Sequence, residues 1–344
     1  MRKIFYVFGL IATLVGCTND DVEFDDFEFQ SVYFPFQTPL RSLMLGDEVI
    51  GDNSIDLERA FSIGATMGGV YSNDKNRELS IELAPDLVTN LTDADGNVLE
   101  MLPASYYEAT FDKLTIPAGS FVGKVRVNLT DAFFQDPLTT GLHYVIPVRI
   151  TAAQDSILQG DALGSVIDPD PRIAADWNIV PKDYVLFGIK YVNPTHGAYL
   201  YRGSRTNLSD NSVVNYSERF INENAVVKLS TNSLIESFMA AVGNNNEGSD
   251  PKYSMKLTFD EANQTVVVSP KEDGVTVPVT GTGVYYSKDD AESEAYNDKK
   301  HRTIYLDYTY EDAGVNYQVK DSLVFIDTDV TFEDFAVNVI EVVE

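Results

Sequence analysis

From Tyr253 to Phe259 every odd position is apolar and every even one polar, the two-residue period of a strand with one buried and one wet face. Glu261–Gln264 then supplies a turn, and Thr265–Ser269 returns. The pattern recurs in Ile304, Leu306, Tyr308 and Tyr310, turns through Asp312-Ala313-Gly314, and resumes in Val315, Tyr317 and Val319. Earlier, Ala109–Ile116, the turn Pro117-Ala118-Gly119 and Phe121–Leu129 predict another hairpin, followed by a strand over His143–Thr151. Only Ser233–Ala241 carries a helical pattern, with Asn232 or Ser233 as its cap and Gly243 as its stop. Many short strands with turns between them and almost no helix predict an all-β sandwich or barrel architecture. Between Ala152 and Pro181 the alternation lapses around Asp168-Pro169-Asp170-Pro171, which marks a connection. The expected organisation is one β domain over 31–155, a linker over 156–180 and a second β domain over 181–344.

The first residues follow a different logic. Arg2 and Lys3 precede the apolar run Ile4–Val15, which ends in Leu14-Val15-Gly16-Cys17. A run of roughly a dozen residues is short of the about 20 that a membrane-spanning helix needs, and its order is that of a processing signal. It resembles the leader of a bacterial lipoprotein precursor. That resemblance implies removal of residues 1–16 and acylation of Cys17, which would hold the protein on a membrane. Cys17 is the only cysteine, so no disulfide or cysteine metal site is available. The net charge of −28 becomes −30 once Arg2 and Lys3 leave with the leader, and such a surface repels nucleic acid.

Residues 17–30 form an acidic tether carrying Asp20, Asp21, Glu23, Asp25, Asp26 and Glu28. Acids behind the lipidated cysteine resemble the signal that sends Bacteroidetes lipoproteins to the outer face of the outer membrane. Asp155-Ser156-Ile157 and Asp321-Ser322-Leu323 are similar to the O-glycosylation sequon of that phylum. Tyr33-Phe34-Pro35, Leu102-Pro103-Ala104-Ser105-Tyr106-Tyr107, the Ile116–Gly119 turn and Tyr144-Val145-Ile146-Pro147-Val148 resemble the immunoglobulin-like N-terminal domain of Bacteroidetes surface lipoproteins. Tyr191–Tyr199, Tyr201-Arg202-Gly203 and the stretch from Asp321 to Phe335 resemble the β-rich domain of unknown function often paired with it. The resemblance implies an immunoglobulin-like sandwich followed by a second antiparallel sandwich or barrel with one short helix, and a place in a glycan-utilisation system.

Residues with catalytic spacing are scarce. His143, His196 and His301 stand apart, with no His-Glu-x-x-His among them. There is no Gly-x-Ser-x-Gly elbow, and Gly281-Thr282-Gly283 lacks the rest of a phosphate loop. Asp93-Ala94-Asp95-Gly96-Asn97 places its glycine too early for a calcium loop and reads as a turn. Asp289, Asp290, Glu292 and Glu294 read as a solvated loop, and no cofactor is expected. Sugars stack their C–H faces on aromatic rings beside polar groups, which makes Trp177, Tyr199, Tyr201, Tyr285, Tyr286 and Tyr305 the candidate ligand contacts. Trp177 suits either an exposed platform or a pin holding the linker. The expected function is non-catalytic binding of extracellular polysaccharide or oligosaccharide, handed to an outer-membrane transporter or a hydrolase. The alternatives are an adhesive or structural surface protein and a glycoside hydrolase.

Overall fold

The computed structural model describes residues 27, 29–49, 51–245, 251–272 and 277–340. Cys17, the leader 1–16 and most of the tether lie outside the described residues. The chain is all-β, as the alternation predicts. Its N-terminal part faces a five-stranded sheet against a larger one. The first runs in the order Ser156–Ile157, Ser31–Tyr33, Ala60–Gly68, Val122–Leu129, Tyr107–Glu108. The second runs Glu333–Asp334, Pro39–Met44, Tyr184–Val192, Tyr144–Ala153, Arg77–Leu83, Lys113–Ile116, with Glu100–Met101 beside Tyr144. Val125, Val127 and Leu129 from one sheet meet Leu79, Ile81, Ile146 and Val148 from the other in a single apolar core, whose burial is the main stabilising term.

Three local expectations change. Lys113–Ile116 pairs with Arg77–Leu83 while Val122–Leu129 pairs with Ala60–Gly68, so the Pro117–Gly119 turn arches between sheets instead of closing a hairpin. Two runs with inward-facing apolar residues satisfy the same alternation on facing sheets as on neighbouring strands. The helix expected over Ser233–Ala241 is absent; Glu236–Met239 is a strand instead. Ser237 and Met239 point inward and Ile235 outward, because this segment must bridge two strands of a closed sheet, which overrides its helical periodicity. The connection over 156–180 contains the strand Ser156–Ile157 and the small antiparallel pair Asp161–Ala162 with Trp177–Ile179. Beyond it, Tyr184–Val192 is hydrogen-bonded inside the sandwich, between Tyr144–Ala153 and Pro39–Met44.

From Gly197 to Asp327 the chain forms a closed eight-stranded antiparallel barrel. Its strands are Gly197–Asn207, Ala225–Thr231, Glu236–Met239, Met255–Asp260, Thr265–Pro270, Val279–Tyr286, Thr303–Asp312 and Val315–Asp327, each paired with the next. The last returns to the first over Ala198↔Asp327 through Asn207↔Tyr317. The hairpin at Asp312–Val315 turns on Ala313 and Gly314, both at positive φ, which matches the twist of its strands. At eight strands a lumen is just wide enough for side chains to fill. Tyr199, Met239, Leu257, Ile304, Leu306 and Tyr308 fill it. Gly281 lets the wall close over them, since a Cβ there would lie 2.4 Å from both the Asp307 carbonyl oxygen and the Tyr308 Cβ.

Candidate functional site

The barrel sorts the candidate tyrosines by strand parity. Tyr199, Tyr201 and Tyr285 point inward and are buried. The Tyr199 hydroxyl donates to the Thr195 carbonyl oxygen at 2.7 Å, and that of Tyr201 donates to Asp321 Oδ2 at 3.1 Å. Burial pushes Tyr285 up to about 12 and Tyr199 higher still, so both stay neutral. Trp177 is half-buried, and its indole N–H donates to the Asp170 carbonyl oxygen at 2.8 Å, which pins the connecting segment. Tyr286 and Tyr305 point outward and come together, with ring centroids 6.1 Å apart in an edge-to-face arrangement.

Tyr305 borders a hollow of about 310 Å³ on the outer barrel wall, with Thr282, Gly283, Val284, Asp307 and Lys320 around it. Its ring is held in place from behind. The hydroxyl donates to Glu294 Oε1 at 3.0 Å, the Ser322 hydroxyl donates to the same oxygen at 2.8 Å, and the Arg202 guanidinium pairs with Glu294 Oε2. The Glu294 backbone N–H is fixed in turn by Thr303 Oγ1 at 2.9 Å. Burial and the Glu294 charge push Tyr305 up to about 12, so it presents a neutral ring at every ordinary pH. At the far side Lys320 Nζ lies 3.7 Å from Asp307 Oδ2, and Gln318 donates to Asp307 Oδ1 at 3.0 Å. The hollow thus offers a locked aromatic ring, an aliphatic side chain and compensated polar groups. Such a surface can stack a sugar face and satisfy its hydroxyls, with little side-chain freedom left to lose on binding.

Glu294 belongs to the acidic run read as a solvated loop; its side chain instead folds back against the outer barrel wall, onto Arg202 and Tyr305. Ser322 is covered by it, and Asp321 beside it is 3% exposed, so Asp321-Ser322-Leu323 is a barrel strand and not an open sequon. Asp155 of the other triplet is bound to buried Arg77 at 2.6 Å. Asp93 Oδ1 accepts the backbone N–H groups of Asp95 and Asn97, and Gly96 has a φ of +87°, so the segment is the expected turn.

Asp321 is the residue that sequence reasoning missed. It sits inside the barrel and accepts hydrogen bonds from the hydroxyls of Tyr201, Tyr308 and Tyr216. Tyr308 and Tyr201 in turn accept the backbone N–H groups of Gly243 and Asn244, at 2.7 and 2.9 Å, closing that end of the barrel. The signal was its parity: Asp321 stands at the inward step between Val319 and Leu323, where a carboxylate requires partners.

Among the described residues no group of histidines and acids is placed to hold a metal ion, and no helix is long and apolar enough to cross a membrane. A solved protein of unknown function from Bacteroides ovatus is 33% identical, spanning 92% of this chain and all of that one with a TM-score of 0.81. The chain belongs to that protein's family. Family models match each half: one described only as an N-terminal domain over 27–157, and a domain of unknown function, DUF5627, over 194–329. A second Bacteroides ovatus protein of unknown function (16% identity, 90% of this chain and 99% of that one, TM-score 0.44) is a more distant likeness. So is an auxiliary nutrient binding protein from Bacteroides thetaiotaomicron (16%, 79% and 85%, TM-score 0.39). No curated protein matches the chain.

Proposed function

We propose that this protein is a non-catalytic, lipid-anchored surface protein that binds an extracellular glycan on the outer wall of its barrel. The observation that carries the reading is the Tyr305 hollow: a half-exposed ring locked by Glu294, beside Val284, Thr282 and the Asp307–Lys320 pair. Its charges compensate, which favours a neutral sugar over an acidic one. Anchoring rests on Cys17 and the leader before it, and two or more acyl chains there would suffice for stable membrane attachment. The partner that receives the glycan, a transporter or a hydrolase, follows from the same reading. Affinity electrophoresis against neutral polysaccharides tests it. Retardation of the folded protein by at least one of them, abolished by Tyr305→Ala, is the expected result; a folded wild-type protein that none retards refutes it.

A further inference from the structure

The Tyr305 hollow does not stand alone on the wall. A second hollow of about 540 Å³ is bordered by Thr258, Thr265 and Val267, with Ile235 and Phe259 beside them and the acidic residues Asp260 and Glu261 also on its lining. Cross-strand register makes the two continuous. On the outward face Thr258 stands opposite Val267, Val267 opposite Thr282, Thr282 opposite Asp307, and Asp307 opposite Lys320. A neighbouring row runs from Thr265 through Val284 and Tyr305 to Ser322. Each step between strands is about 4.8 Å, so the four steps of the first row span about 19 Å. In the first row Val267 lies between Thr258 and Thr282, ahead of the Asp307–Lys320 pair, and in the second Val284 lies between Thr265 and Tyr305, ahead of the buried Ser322; Val267 and Val284 are exposed.

We infer that the two hollows form one transverse track that binds a linear, uncharged oligosaccharide segment, longer than a single sugar ring, laid across five barrel strands. The inference rests on the proposed glycan reading and specifies its ligand. An aromatic ring at one end and aliphatic side chains with threonine hydroxyls at the other repeat the two requirements of a sugar unit, a C–H face to cover and hydroxyls to pair. An extended peptide fits less well. Peptides that lie on sheets gain their affinity from main-chain hydrogen bonds to an open strand edge. Here all five strands are paired on both sides within a closed barrel, which leaves no such edge. The only charged groups in the first row, Asp307 and Lys320, face one another, so an anionic chain finds no free cation in that row.

Isothermal titration with linear gluco-, xylo- and manno-oligosaccharides from dimer to octamer tests the inference. Wild-type affinity should rise with chain length and then level once the track is full. Val267→Asp, an exposed change in the second hollow, should remove about tenfold of the affinity for the longer oligomers, or about 1.4 kcal/mol. It should leave the shortest binders within about twofold. Val267→Ala, which keeps the strand and adds no charge, should give a smaller loss in the same length-dependent pattern. Tyr305→Ala should weaken every length. If affinity is independent of length, or both Val267 variants keep the full gain while Tyr305→Ala abolishes binding, the track is refuted and the single hollow stands. If the folded wild-type protein binds none of these sugars, the glycan reading fails and the track with it. Titration of an extended peptide with the same sensitivity at Val267 would overturn the ligand class.

Discussion

Replacing Asp321 by asparagine tests whether a buried carboxylate organises the barrel interior. Burial raises the carboxyl from its ordinary 3.8 to about 6, against the opposing hydrogen bonds from Tyr216, Tyr308 and Tyr201. Asp321 is 3% exposed, so solvent screening does little to reduce the effect. A folded-state pKa above the unfolded value means that the fold prefers the protonated acid. The stabilising contribution is therefore complete below about 3.8 and is lost as pH rises through about 6. The difference corresponds to about 3 kcal/mol across that window. The amide of Asp321→Asn has no proton to lose, so urea unfolding of both proteins between about pH 4 and about pH 7.5 isolates the effect. The stability of wild type minus that of Asp321→Asn should fall by about 2 kcal/mol from the acid to the neutral end, the remainder of the full difference lying below about pH 4. Other titrating groups cancel in the difference. Parallel curves, or a difference that grows with pH, would refute a desolvated carboxylate at this position.

Elsewhere in the fold, Asp155→Ala leaves the guanidinium of Arg77, 2% exposed, without its 2.6 Å carboxylate partner; the expected loss is about 3–5 kcal/mol in chemical denaturation, and a loss under about 1 kcal/mol would contradict it. His196 shows the opposite pH dependence to Asp321. Burial lowers it to about 4, and its Nδ1 accepts the Thr231 backbone N–H at 3.1 Å, so its contribution is complete above about 6.5 and is lost as pH falls toward about 4; His196→Gln should flatten that loss. Cys17→Ser should move the protein from the membrane fraction to the soluble one and abolish fatty-acid labelling, whereas unchanged labelling would remove the anchor.

The sequence was legible wherever local period and burial agree. The 255–270 and 303–327 hairpins follow directly from alternation, because in a closed barrel one face of every strand is buried and the other wet. Turn chemistry was equally plain at Ala313-Gly314 and Gly96. Pairing partners were not. Nothing local distinguishes Ile116–Gly119 as an arch between sheets from the same turn closing a hairpin, and Glu236–Met239 is a strand only because the barrel must close there. Within the candidate site, Tyr286 and Tyr305 could be named as aromatics, but their exposure depends on parity relative to Tyr285 and Ile304. The Tyr305 ring is held by Glu294, eleven residues earlier in the chain, which is itself paired with Arg202 from the first barrel strand, and nothing in the local pattern announces either contact. Asp321 was missed as a core acid because its partners Tyr201 and Tyr216 lie more than a hundred residues away.

The barrel and the sandwich are not beads on a string. The chain leaves the sandwich after Tyr184–Val192, builds the barrel, and comes back: Glu333–Asp334 pairs with Pro39–Met44, Val337–Val339 pairs with Leu91–Asp93, and Phe335 is buried with Leu40 and Leu186. The barrel is therefore inserted between two strands of the sandwich and tied to it at both ends. At the entry, Asn193 is buried, and its side-chain amide donates to the Ser233 and Glu236 carbonyl oxygens at 2.9 and 2.8 Å. At the base, the Arg302 backbone N–H donates to Glu48 Oε2 at 3.0 Å while its guanidinium lies 4.2 Å from the centre of the Phe325 ring. Domains joined by one strand and a small polar interface are expected to swing. Two covalent crossings and buried hydrogen bonds between the bodies oppose that motion. The outer wall with Tyr305 is thereby held at a fixed attitude to the sandwich.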